Sequence, residues 1–118
     1  MPARVVAVVK DLFFVARIRE TARMVGTPLL FARTPEELTA ALHEPAGLVI
    51  VDLTSRDLDY DAVFHTLDVA VPPPPVLGFT THVLARETQP LHHRCRRVVT
   101  KETLTQELPD LLKTGVLA

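Results

Sequence analysis

At 118 residues with a formal net charge of -1, the chain has the size of one domain, large enough to bury about two-thirds of the surface its unfolded form exposes, and its charge balance argues against direct binding to nucleic acid or an anionic membrane. Apolar residues make up 47% of the chain, but aromatics only 5%, with no Trp, so the expected core is aliphatic, as in sheets covered on both faces. The lone cysteine, Cys95, excludes an internal disulfide and suits a reducing compartment.

In chain order, Met1-Pro2-Ala3-Arg4 leads into strand-like residues without the basic, apolar and cleavage regions of a signal peptide. No apolar run approaches the ~20 residues that span a bilayer. The expected location is therefore the cytoplasm. Val5 to Val9 reads as a buried central strand, closed by Lys10 and Asp11. Val15, Ile18, Ala22 and Val25 recur at helical spacing from Leu12 to Val25, and Gly26 is a natural stop. A second strand spans Leu29 to Ala32. Thr34-Pro35-Glu36-Glu37 then supplies an N-cap, a first-turn Pro and a Glu three residues after the cap, opening a helix striped by Leu38, Ala41 and Leu42.

Pro45-Ala46-Gly47 ends that helix before a third strand, Leu48 to Val51, which delivers Asp52. Thr54 to Tyr60 reads as a loop and about Asp61 to Val69 as a helix with Val63 and Leu67 inward. The prolines from Pro72 to Pro75 form a stiff connector to a fourth strand, Val76 to Phe79, followed by Thr80-Thr81-His82. Pro90 restricts Val83 to Arg94 to a short or distorted helix. Arg97 to Val99 is a fifth strand, closed by Thr100-Lys101. Leu104, Leu108, Leu111 and Leu112 stripe a last helix, with Pro109 expected in a first turn or at a kink.

Alternating strands and helices predict a single α/β domain, a doubly wound, flavodoxin-like parallel sheet of five strands in the order 2-1-3-4-5. In that order the first and third strands are neighbours, so Asp11 and Asp52 are expected to meet at the carboxyl-edge crevice. There is no glycine-rich loop after the first strand, which argues against dinucleotide or P-loop binding. Phosphate-cradling residues are also missing from Lys10 to Ala16, which disfavours flavin.

Asp11, Asp52, Thr80 and Lys101 each follow a strand. Two carboxylates, a hydroxyl and an ammonium placed in this way resemble the receiver domain of response regulators in two-component signalling, over essentially the whole chain. Thr100-Lys101 followed by Gln106-Glu107-Leu108 is similar to that family's closing segment. The resemblance implies that Asp52 is the phosphoryl acceptor, that Asp11, Asp52 and the Thr54 carbonyl hold Mg²⁺, and that Thr80, with Thr81 the less favoured neighbour, and Lys101 contact the phosphoryl oxygens. Hard oxygen ligands suit that cation, and Lys101 would offset the accumulating charge.

The sequence departs from the family pattern in several places. Lys10 stands where the family has an acid, a charge change of about two units that is worth several kcal/mol at ~4 to 6 Å and an effective dielectric of about 20; Mg²⁺ binding should be weakened. Glu102 replaces a proline, the fifth strand lacks its aromatic, and His82 lies beside the hydroxyl pair. These losses resemble an atypical or pseudo-receiver.

Simpler roles compete with these readings. Asp52 could cap a turn, Asp11 could cap the first helix, and Lys10 could be either a built-in cation on Asp52 or an exposed lysine. Lys101 could equally be a solvated lysine. His82, His92, His93 and Cys95 match no closed zinc spacing. Arg94, Arg96 and Arg97 with His92 and His93 form a basic run that is a solvated face or a docking face. Of the adjacent Phe13 and Phe14, core packing of both is expected, with an outward Phe13 at the site rim as the alternative.

The favoured function is a stand-alone receiver-like signalling protein acting through protein contact, with a histidine kinase or other signalling protein, or a second copy, as partner. The alternative is a phosphorylation-independent interaction module held in one state by Lys10 and Lys101 on Asp52. A small phosphate-ester hydrolase using Asp11 and Asp52 is a third reading; the favoured one is not an enzyme.

Overall fold

The computed structural model describes residues 3–117. Of the N-terminal lead-in, Met1 and Pro2 lie outside these. Five parallel strands form one sheet in the order β2-β1-β3-β4-β5: β1 (Val5–Val8), β2 (Leu29–Phe31), β3 (Leu48–Asp52), β4 (Val76–Thr80) and β5 (Arg97–Thr100). Between and after them run α1 (Leu12–Val25), α2 (Pro35–Ala41), α3 (Tyr60–Val69), α4 (Ala85–His92) and α5 (Lys101–Thr114). The topology and strand order are those expected from the chain's alternating pattern.

Every residue of β1, β3 and β4 is buried, because helices cover both sheet faces. One face packs Phe14, Val15 and Ile18 of α1 and Leu104, Leu108 and Leu112 of α5 against Ala7, Ile50 and Phe79. The other packs Leu38, Val63, Phe64 and Leu67 of α2 and α3 on Val6, Val49 and Val51, with Leu91 and Cys95 beside them. Gly78 is glycine for a steric reason: a Cβ there would lie 2.7 Å from the Cys95 sulfur. Burial pushes that thiol up to about 11.

Local chemistry places the helix ends. Asp11 caps α1, accepting from the Phe13 and Phe14 amides at 2.9 and 3.2 Å, and Gly26 closes it in the left-handed region at φ 73°. At α2 the Thr34 hydroxyl accepts from the Glu37 amide while the Glu37 carboxylate accepts from the Arg33 amide.

The expected boundaries shift at several places. Helix α3 starts at Tyr60, one residue before the expected start, because Asp59 accepts from the Ala62 amide and takes the capping role. Strands β3, β4 and β5 each run one residue further, to Asp52, Thr80 and Thr100, while β1 and β2 each stop one residue short. Pro109 lies in the interior of α5 rather than its first turn. An interior proline costs about 3 kcal/mol, but burial of Leu104, Leu108, Leu111 and Leu112 contributes about 1.5–3 kcal/mol per side chain, so packing wins.

Truncation should separate buried from exposed leucines. Leu104→Ala, at a fully buried position, is expected to lower unfolding free energy in urea by about 2–5 kcal/mol. Leu12→Ala, on a 70% exposed side chain, should change it by no more than about 0.5 kcal/mol.

Candidate functional site

Strand register brings the chemistry-bearing residues to one edge. Val8 pairs with Val51, Asp52 with Phe79 and Thr80 with Thr100. Because all the pairs are parallel, the segments leaving β1, β3, β4 and β5 emerge along the same carboxyl border. Open α/β sheets bind their ligands there.

Asp52 ends β3 with only 6% of its surface exposed. Its Oδ1 accepts from the Thr54 amide at 2.8 Å and the Thr54 hydroxyl at 2.6 Å, so the turn-capping role is realised. No buried side-chain nitrogen or oxygen lacks a hydrogen bond among the described residues, so Oδ2, outside these bonds, keeps solvent contact. Tyr60 staples the following loop: its hydroxyl donates to the Asp52 carbonyl at 2.7 Å and accepts from the Ser55 amide at 2.9 Å. Burial pushes the phenol well above its ordinary range, and the nearby Asp52 and Asp57 charges add to the rise.

Asp11 combines two roles. Besides capping α1 through Oδ1, it accepts from the Lys101 ammonium through Oδ2 at 3.1 Å, joining the starts of α1 and α5. The Phe14 backbone bond and the Lys101 bond hold its carboxyl below the usual carboxylate range. Lys101 also lies 4.9 Å from the Phe14 ring centroid, and Phe14 packs on Phe79 at 5.0 Å. The ammonium is thus seated over an aromatic pair from the core.

The expectation that Lys10 or Lys101 pairs directly with Asp52 is overturned. Lys10 donates to Asp57 at 2.9 Å, and Lys101 is engaged by Asp11. The physical reason for the first is reach: Asp57 sits in the β3–α3 loop and presents an exposed carboxylate, oriented by the Ser55 hydroxyl at 3.0 Å. The Lys10 bond holds the Asp57 carboxyl low. Asp57 and Tyr60 were absent from the residues singled out in the sequence, although a loop acid five residues after Asp52 was the available signal for the first.

The two hydroxyls after β4 part company. Thr80 is buried, 3% exposed, and bonded to the hydroxyl of Thr88 on α4 at 2.9 Å. Thr81 caps the turn into α4, its hydroxyl accepting from the Leu84 amide at 3.1 Å. Thr81 and His82 line an open cleft of about 850 Å³ between α1 and α5, together with Phe13, Arg17 and Lys101. Phe13 is 92% exposed, correcting the expectation that both phenylalanines pack in the core: the α1 stripe has room for Phe14, and the adjacent position turns about 100° away. Of the basic run near β5, Arg94 is paired with Asp68 and Arg97 with Glu107 through two bonds.

A divalent cation at this border would find carboxylate oxygens on Asp11 and Asp52 and the Thr54 carbonyl in the adjoining loop. Those donors are of the right hard type. Both Asp11 oxygens are already engaged, however, and Lys10 and Lys101 bring two positive charges to the same edge. No group of three or more His, Cys, Asp or Glu able to hold a metal ion occurs among the described residues.

Neither known family models nor curated proteins match the sequence. Solved structures do match the fold. NtrX from Brucella abortus superposes with a TM-score of 0.79 at 16% identity, over 98% of this chain and 27% of the NtrX chain. The chemotaxis response regulator CheY4 of Vibrio cholerae superposes at 0.75 and 16% identity, over 98% of this chain and all of its own. The receiver domain of the sensor histidine kinase PA1611 from Pseudomonas aeruginosa, with a magnesium ion in its active-site cleft, superposes at 0.73 and 13% identity, covering 98% of each chain. The fold is therefore that of response regulator receiver domains.

The Asp11–Lys101 pair carries a pH signature. A carboxyl whose folded pKa lies below its unfolded value of about 3.8 stabilises the fold fully above that value, and the contribution is lost as pH falls through the lower, folded value. In Lys101→Met, NMR titration should show the Asp11 carboxyl rising while staying below 3.8, because the α1 amide bonds remain. An unchanged midpoint would show that Lys101 does not act on Asp11.

Proposed function

We propose that the chain is a receiver-like signalling module that works through protein contact, with Asp52 as its phosphoryl acceptor. The observation that carries this reading is the location of Asp52: buried at the carboxyl edge, one oxygen held by Thr54 and the other outside those bonds, on the same border to which Lys101, paired with Asp11, is brought from the far end of the chain. Oδ2 is the attacking oxygen. With acetyl phosphate as donor, a bond forms from Oδ2 to phosphorus, the bond from phosphorus to the acetate oxygen breaks, and acetate leaves. Lys101 then exchanges its Asp11 contact for the new phosphoryl oxygens, where a charge-assisted bond is stronger than the exposed pair it replaces.

Mg²⁺, held by Asp11, Asp52 and the Thr54 carbonyl, would supply compensation for the negative charge gathered at Asp52. The lysines make that site weaker than one built from three acids. The PA1611 receiver domain with its magnesium ion supports the general chemistry of such a cleft. Partners in this reading are a phosphodonor such as a histidine kinase and a second signalling protein that reads the modified face.

A phosphorylation-independent module is the second reading, supported by the two lysine–aspartate pairs. In it Lys10–Asp57 and Lys101–Asp11 already neutralise the edge, so the protein presents one face whatever the state of Asp52. Beryllofluoride or acetyl phosphate with millimolar Mg²⁺ separates the two. Amide shifts around Asp52 or an 80 Da gain, abolished in Asp52→Asn, are expected from the first reading. Silence at saturating Mg²⁺ with the fold intact favours the second. Hydrolysis of a generic phosphate ester, lost in Asp11→Ala, would instead favour the enzyme.

A further inference from the structure

Beyond the border itself, three side chains form a continuous line from β4 into α4. The Thr80 hydroxyl meets the Thr88 hydroxyl at 2.9 Å, and the same Thr88 oxygen meets Nε2 of His92 at 2.9 Å. Thr80 and Thr88 are 3% and 6% exposed, so the first bond is out of water's reach. His92, one helical turn after Thr88, is half-buried and in contact with solvent. A hydroxyl has one proton to give. Thr88 can donate to Thr80, to His92 or, across a longer 3.3 Å contact, to the Ala85 carbonyl, but to one at a time.

We propose that the neutral His92 ring carries its proton on Nδ1 and that Thr88 is a positioning residue through which protonation of Nε2 sets the direction of the Thr80 hydroxyl. When Nε2 carries no proton it accepts from Thr88, whose oxygen then accepts from Thr80, and the Thr80 proton is spent on α4. When the imidazole is protonated, Nε2 donates to Thr88, and Thr88 donates to Thr80. The Thr80 proton is then released to point elsewhere, toward an anion on the β3–β4 border. Acid therefore converts Thr80 from an oxygen whose proton is committed into a free donor. The consequence for an anion at Asp52 rests on the functional reading above; the hydroxyl reversal itself does not.

His92 is the ionisable member of the line, and the charged groups around it are engaged elsewhere or exposed. Strand β4, on which α4 packs, carries no titratable group from Val76 to Thr80. On β5 Val98 packs against the same core cluster as Leu91 of α4, while Arg97 is held by Glu107 of α5 and Arg96 is exposed. On α3, Asp61 and His65 are exposed and Asp68 is held by Arg94. On α4 itself Arg86 and Glu87 are exposed, as is His93 after it. Imidazoles as a class change charge between about pH 5 and 8, which sets the range of the test.

The test uses the labelled full chain with no phosphodonor, so its outcome is independent of whether Asp52 accepts a phosphoryl group. The His92 ring nitrogens and the Thr80 methyl and amide are followed by NMR from pH 5 to 8. Thr80 is expected to shift with the same midpoint as His92. In Thr88→Val, His92 should still titrate while Thr80 loses that transition, and Thr88→Ser should restore it. His92→Gln, which cannot take up a proton, should make Thr80 independent of pH, and it serves as the test if Thr88→Val does not fold. A Thr80 that ignores His92 in the unmodified chain, or follows it equally in Thr88→Val, overturns the proposal.

Discussion

The parallel register of four strands is the constraint on which the rest depends. Side-chain alternation and a buried sheet leave almost no freedom to slip, because a one-residue shift would exchange the two covered faces. With Val8 opposite Val51, Asp52 opposite Phe79 and Thr80 opposite Thr100, residues separated by up to 90 positions arrive at one border without a specific contact having to gather them. The aliphatic core that locks this register is thus the first requirement of the site. The polar contacts at the border then refine positions the hydrophobic layers have already set.

The border is electrostatically divided. On one side Lys101 joins Asp11; on the other Lys10 joins Asp57. Asp52 lies between the segments carrying these pairs and is held by neutral groups, the Thr54 amide and hydroxyl. Exposed lysine–carboxylate pairs are weak in water, so both break readily when a stronger anion or cation competes. The Lys101 pair has the extra support of the Phe14 ring.

Much of this was legible in the chain. Fully apolar runs at Val5, Leu48 and Val76 could only be covered strands, and the Thr34-Pro35 and Gly26 signals marked helix ends correctly. Legibility ended where tertiary packing outvoted local rules. Pro109 sits inside α5 because four buried leucines outweigh its cost, and Phe13 is exposed because only one of two adjacent aromatics can face the sheet. The pairing of Lys10 was hidden for another reason. Its partner lies in a loop whose path follows from the Tyr60 staple, and no periodicity encodes it. The Thr80–Thr88–His92 line was equally invisible, since Thr88 sits in a segment whose helix Pro90 made uncertain.

That staple gives the molecule a built-in optical handle. Tyr60 is the only tyrosine, and the chain has no Trp, so all ultraviolet emission excited above the phenylalanine band originates from one ring whose oxygen touches the Asp52 carbonyl and the Ser55 amide. A rearrangement of the loop after β3 that breaks either bond changes the surroundings of that single fluorophore. The chain therefore reports on its own carboxyl border by light alone, with no dye attached and no residue replaced.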